Sequence, residues 1–433
     1  MKRRYSIALI IFALALGIRL VYGLVQLNRG FLFVSEGDYT LYQIGADYFL
    51  ENGDFNNSIF LVRPPLFPLI VAALGDNHTL LIVLNSIFGA LLAPMTMLLA
   101  KQLKLSSTII TLAGLFVAVD PVTVHYTAFL GPEAISFVGA LGMMNALVAL
   151  VNSEKMSRAA GWGIVAALCL LFSAYTRPSI YLIWTGMSVW VLTQGLRRYW
   201  LAVVLYVVIS FGGIEIWQQH NQQQFGHHTF STVGSYTMTY YRAASVLRFG
   251  EDLTPDGAYL EINQRIKTIL GEDPTTATPR DQDNYLASTP DIEAAFNTIN
   301  MDIFTDYPLI YLGTLVIGTI RFFDLAPAVP PIENLYNPVL YVIPLWNIAL
   351  LGGALIGAYY GIRNKAWQFL AVVILFGGYF TAGTLLVKSA GMTGRERTVL
   401  FPMIALAAAY GFYYLYKTYR ERETAGITPT SSA

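Results

Sequence analysis

Four short polar stretches carry the residues of this chain that could do chemistry. The first places Glu36 and Asp38 in Phe33-Val-Ser-Glu-Gly-Asp-Tyr-Thr-Leu-Tyr42, with Arg63 following in Leu61-Val-Arg-Pro-Pro-Leu-Phe-Pro68. The second runs from Asp120-Pro-Val-Thr-Val-His125 to Gly131-Pro-Glu133, the third is Thr176-Arg177-Pro178, and the fourth extends from Lys388 through Arg395-Glu396-Arg397. Carboxylates and guanidiniums beside long apolar segments suit group transfer from a lipid phosphate ester. A carboxylate can take the proton of an attacking hydroxyl or amine. Arginines can grip the departing phosphate through paired, charge-assisted hydrogen bonds. An apolar slot between helices can hold a lipid tail. Taken singly, each loop acid also reads as a solvated surface group.

The elements that must position these residues are membrane helices. Of 433 residues, 55% are hydrophobic and 12% charged, where soluble proteins carry roughly 25% charged residues; mean hydropathy is +0.52. Apolar runs reach the roughly 18 residues that crossing a hydrocarbon core requires. Backbone groups in lipid must be satisfied within each segment, so the spans are helices, and the alternating ten-residue segments of a barrel are missing. Lysine plus arginine equals aspartate plus glutamate, so no charge excess points to nucleic acid. The lone Cys169 excludes an internal disulfide and reads as a small buried side chain.

Met1-Lys-Arg-Arg4 precedes an apolar run from Tyr5 to about Leu27. Ala13-Leu14-Ala15 has the pattern of a signal-peptide cleavage site, but the run continues past it and reads as an uncleaved first helix. Further spans are expected at 79–100, 107–119, 131–151, 159–175, 178–194, 199–217, 307–328, 338–360, 367–387 and 398–417. Lys101 and Lys104, Lys155 and Arg158, Arg197 and Arg198, Arg363 and Lys365, and the tail from Lys417 mark the cytoplasmic side. Residues 28–78, 120–130, 175–178 and 218–306 then lie outside. Eleven spans cannot leave both termini in the cytoplasm, so the expected bundle has 11–12 helices. The segment 307–328, which leads into Ala326-Pro-Ala-Val-Pro-Pro331, is its weakest member and reads as re-entrant or tilted. The expected divisions are a transmembrane module over 1–217, a large external loop over 218–306, transmembrane helices over 307–417 and a cytoplasmic tail over 418–433.

Residues 251–306 carry twelve acids against Arg265, Lys267 and Arg280, a net charge of −9. So acidic a loop is a poor place for a lipid phosphate. Leu260–Ile269 reads as a short amphipathic helix, and the loop as too small and broken for an independent domain. His220, His227 and His228 have no acid or cysteine partner at metal-ligand spacing. No nucleotide-binding loop or paired-cysteine motif occurs. Arg19, about two turns from the end of the first helix, can snorkel to the outer interface.

The residues resemble those of the GT-C superfamily of integral membrane glycosyltransferases, particularly its aminoarabinose transferase and protein O-mannosyltransferase group. The matches are Arg19, Gly37-Asp38-Tyr39, Arg63-Pro-Pro-Leu-Phe-Pro68, Pro121 to Glu133-Ala-Ile-Ser136, Tyr175-Thr-Arg-Pro178 and Gly394-Arg-Glu-Arg-Thr-Val-Leu-Phe-Pro402. Trp217–Leu247, with Tyr240-Tyr-Arg242, resembles the long external loop of such enzymes. The resemblance implies an all-α polytopic bundle that moves a sugar, with inversion, from a polyprenyl-phosphate donor on the outer face of the cell membrane. Asp38 would match the first-loop acid that acts as base, and Glu133 the second acid. Arg63, Arg177, Arg395 and Arg397 would face the donor phosphate. Arg19, Tyr39, His125, Arg242 and Lys388 join them as candidate substrate-binding residues. A divalent metal at Asp38 and Glu133 stays open, and so does the acceptor, whether lipid, glycan or protein. No soluble carboxy-terminal domain is expected after the last span, so nothing about acceptor recognition carries over. Two other readings are open to such a chain: a flippase of lipid-linked sugars, which predicts midplane charges in repeated halves, and an oligosaccharide polymerase or ligase.

Overall fold

The computed structural model describes residues 2–31, 34, 38–75, 77–287, 289–325, 339–388 and 395–424. Glu36, the stretch 326–338 and residues 389–394, all named above, lie outside them. Every regular element among the described residues is helical. Helix α1 (Lys2–Arg29) leads to three short helices, α2 (Asp38–Asn52), α3 (Ile59–Val62) and α4 (Leu66–Leu74). The bundle continues with α5 (His78–Gln102), α6 (Ser107–Val119), α7 (Pro121–Thr127), α8 (Glu133–Val151), α9 (Met156–Thr176), α10 (Ile183–Thr193) and α11 (Leu196–Phe225). An excursion of α12 (Val233–Thr237), a π-helical turn over Met238–Ala243, α13 (Ala244–Gly250), α14 (Pro255–Leu270) and α15 (Pro290–Asp306) follows. Then come α16 (Pro308–Phe322), α17 (Val339–Arg363), α18 (Trp367–Val387) and α19 (Phe401–Thr424).

Length and charge decide which helices can cross a membrane. Among the described residues seven are long and apolar enough alone: α1, α5, α8, α9, α11, α17 and α18. Two bent pairs, α6 with α7 at 58° and α15 with α16 at 100°, raise the count to nine if each is one span. The 11–12 spans expected from hydropathy included segments that fold into shorter helices. Helix α16 has 15 residues and α10 has 11, about 22 and 16 Å at 1.5 Å per residue, short of a core of about 30 Å. Leu9, Ile216, Leu309 and Leu355 are more than 60% exposed, an outward apolar face of the kind that lipid covers. The protein is a multi-pass membrane protein.

Side-chain size sets the closest packing. Helices α17 and α19 meet along Gly353, Gly357 and Gly411; a Cβ at Gly357 would run into the Ala407 carbonyl, and one at Gly411 into the Gly353 carbonyl. Small residues permit this approach where helices gain nothing from hydrophobic exclusion. Gly411→Leu is expected to cost about 1–3 kcal/mol through overpacking, read as a lower midpoint in a detergent thermal-unfolding assay.

Two smaller apolar cores lie apart from the main one. Val34, Tyr39, Tyr42, Ala46, Phe67 and Val71 pack under the first loop. Tyr240, Leu247, Ile262, Ile266, Phe296, Ile299 and Ile303 form a second core among α13, α14, α15 and the π-helical turn. The segment 218–306, read from the sequence as too small and broken for an independent domain, holds this core among its helices. Leu260–Ile269 falls inside the 16-residue α14.

Candidate active site

Proline aims three of the charged side chains. The residue before a proline is pushed out of the helical region, and Arg63, Asp120 and Arg177 each precede one. All three are extended, at φ −118°, −60° and −150°, and stand at helix ends: Arg63 after α3, Asp120 between α6 and α7, Arg177 after α9. Asp38 and Glu133 instead open helices α2 and α8, where the helix dipole favours an anion. Gly131 has no room for a side chain, because a Cβ there would strike the Glu133 carboxylate. Asn85 holds this turn by donating to the carbonyls of Phe129 and Gly131 at 2.5 and 2.9 Å. The Leu130 amide donates to the Val34 carbonyl at 2.7 Å, which ties the first loop to the second.

The four stretches meet at one end of the bundle. Arg63 Nη2 lies 2.6 Å from Asp38 Oδ1. Arg395 bridges the two acids: Nη1 is 2.8 Å from Asp38 Oδ2, while Nη2 and Nε are 2.6 and 2.7 Å from Glu133 Oε1. Arg177 also pairs with Glu133 Oε1. Burial separates the two carboxylates, since the Glu133 side chain is 2% exposed and that of Asp38 35%. Of these two acids, Asp38 is the more exposed among the described residues. Burial pushes the Asp38 carboxyl up, but Arg63, Arg395, Lys388 and Arg177 outweigh it and hold the group well below the usual carboxylate range.

Lys388 sits beside this cluster, 2.6 Å from Glu396 Oε1 and 5.5 Å from the Tyr241 ring centre. Arg397 turns elsewhere: it is buried 3.4 Å from Asp120 Oδ1, which also accepts from the Trp346 indole at 2.8 Å. The other Asp120 oxygen caps α7 through Thr123, at 2.8 Å from its amide and 2.7 Å from its hydroxyl.

The remaining candidates lie in other settings. Arg19 is fully buried and donates to the carbonyls of Ala15, Val117 and Ala118 and to the Thr127 hydroxyl. It therefore clamps the last turn of α6 across the break to α7 rather than reaching an interface. His125 Nδ1 is 2.6 Å from the Tyr22 hydroxyl. Tyr39 is buried against the rings of Phe31 and His78. Arg242, in the π-helical turn, lies 4.1 Å over the Tyr311 ring and donates to the Leu385 carbonyl at the end of α18. Sequence reasoning had assigned no role to Trp346, Tyr241 or Glu396.

The donor set bears on the divalent metal that the resemblance left open. Both Asp38 oxygens and one Glu133 oxygen already face guanidinium nitrogens, and the Arg395 cation stands between the acids. Among the described residues no group of three or more His, Cys, Asp or Glu side chains could hold a metal. The residues do not fit a metal bridging the two acids.

The helical bundle shares its fold with a solved oligosaccharyltransferase structure. Among solved structures it is similar to the apo oligosaccharyltransferase of Archaeoglobus fulgidus, at a TM-score of 0.52 and 12% identity over 99% of this chain and 53% of that one. This chain thus spans about half the length of that enzyme. ArnT of Cupriavidus metallidurans bound to undecaprenyl phosphate is similar at a TM-score of 0.41 and 13% identity, covering 99% of this chain and 80% of ArnT. No family model matches the chain, and no curated protein matches its sequence.

Proposed function

We propose that this protein is a membrane glycosyltransferase that moves a sugar from a polyprenyl-phosphate donor to an acceptor on the outer face of the cell membrane, inverting the anomeric centre. The observation that carries this reading is the convergence of Asp38, Glu133, Arg63, Arg177 and Arg395 from four separate loops at one end of the bundle. The opposite helix ends collect Lys101, Arg158, Arg197, Arg198 and Arg363, and the positive-inside rule assigns that side to the cytoplasm. This supports an outward-facing site.

In the proposed step an acceptor hydroxyl or amine attacks the anomeric carbon, and its proton passes to Asp38. The bond from that carbon to the phosphate oxygen breaks, its electron pair stays on the oxygen, and polyprenyl phosphate leaves against the arginines. Asp38 in its paired state is a weak base, since a general base works best with a pKa near the working pH. Donor phosphate competing for Arg63 would loosen that pair and raise the basicity of Asp38, so donor binding precedes proton transfer.

The test is to incubate the purified protein with a panel of polyprenyl-phosphate sugars and acceptors, and to measure release of polyprenyl phosphate. No release with any donor rejects the reading. The pH profile gives a second check. Asp38 is held low, so it protonates only under strongly acid conditions, and the acid limb of kcat/KM lies below the ordinary carboxylate range. Arg63→Gln removes a main cause of that depression and should move the limb to higher pH. A limb that stays in place removes Asp38 as the titrating group.

A further inference from the structure

We propose that the Arg395 guanidinium is the permanent cation of this site, standing where a divalent metal would otherwise bridge the Asp38 and Glu133 carboxylates, and that transfer needs no metal. The inference rests on the transferase reading above and deepens it. A metal bridging two carboxylates needs their oxygens at about 2.0–2.6 Å. Here the space between the acids is filled by a planar fork whose nitrogens lie 2.6–2.8 Å from Asp38 Oδ2 and Glu133 Oε1, the geometry that guanidinium shares with carboxylates.

The fork is also fixed in place. Arg395, Glu396 and Arg397 are consecutive, and each is paired with a different element. Arg395 reaches the starts of α2 and α8, Glu396 holds Lys388 at the end of α18, and Arg397 holds Asp120 at the break between α6 and α7. The Thr398 hydroxyl donates back to the Arg395 carbonyl at 2.6 Å. A side chain whose next two neighbours are both pinned by ion pairs cannot easily swing out to admit an ion. A guanidinium stays charged at any working pH, so the site would keep its cation without drawing on the ion supply around it.

The experiment uses the full chain in detergent. Bound Mn2+ is read by electron paramagnetic resonance, and turnover is read as polyprenyl phosphate release with and without exhaustive chelation. Wild type is expected to show no Mn2+ binding that Asp38→Asn removes, and no loss of turnover on chelation. Arg395→Ala should lose roughly 10²–10³-fold in kcat, the cost of removing one preorganised donor, and should gain one bound Mn2+. Arg395→Gln, closer in length, serves if the alanine variant does not fold. The proposal is overturned by wild-type Mn2+ binding that Asp38→Asn abolishes, by turnover that chelation removes and Mn2+ restores, or by a folded Arg395 variant with full turnover or no Mn2+ uptake. Absence of turnover in every condition rejects the transferase reading instead, and the Mn2+ measurement still decides the role of Arg395.

Discussion

Asp38→Asn is expected to cut turnover by roughly 10²–10⁴-fold, the usual contribution of a positioned general base, while the protein stays folded in the membrane. The substitution is nearly isosteric and keeps one oxygen to accept from Arg63 or Arg395, so the loop should hold its shape. It removes the negative charge and the site for the acceptor proton. A third of the Asp38 side chain is exposed, so the stability cost is that of a surface pair, about 0–1 kcal/mol. The measurement is polyprenyl phosphate release beside a thermal midpoint in the same detergent. Wild-type turnover in a folded variant would remove Asp38 from the base role, and Glu133 could not replace it while its carboxylate stays buried behind Arg177 and Arg395.

The second large effect concerns stability. Asp120→Leu should destabilise the bundle by about 3–5 kcal/mol, the cost of leaving one partner of a buried ion pair uncompensated. Asp120 is fully buried and Arg397 is 2% exposed. The substitution strands the guanidinium, the Trp346 indole N–H and the cap of α7 together. Asp324, 4.0 Å from Arg397 and partly exposed, compensates only weakly. Removing both charges is a different matter, since well-packed apolar replacements of a buried pair are often neutral. The double variant Asp120→Leu/Arg397→Met should therefore recover much of the loss. Unfolding in mixed micelles followed by tryptophan fluorescence gives the cycle. Additive losses would show that the pair is not a unit.

Much of this organisation was readable from residue types. Apolar runs located the long helices, because each buries its backbone bonds within one segment. The pairs Arg63-Pro64, Asp120-Pro121 and Arg177-Pro178 marked where helices stop, because proline acts on its immediate neighbour. Other features depend on residues far apart in the chain. Arg19 reads as an interface group until Val117 and Ala118 bring it their carbonyls from about a hundred positions away. The pairing of Arg397 with Asp120 rather than with Asp38 or Glu133 has no local signature. The 58° break between α6 and α7 follows from Asp-Pro, but its bridging by Arg19 does not. Helix α16 is mostly apolar and still too short to cross alone, since it runs only over Pro308–Phe322 and meets α15 at 100°.

The bond between Arg395 and Asp38 joins residues 357 positions apart. At translation rates of 5–20 residues per second, the arginine leaves the ribosome roughly 20–70 s after its partner. During that interval the first loop has been made, and Glu133 has Arg177 but not the bridge. The charged cluster is therefore complete only once the stretch after α18 has been made, so its assembly waits on residues far beyond the first loop.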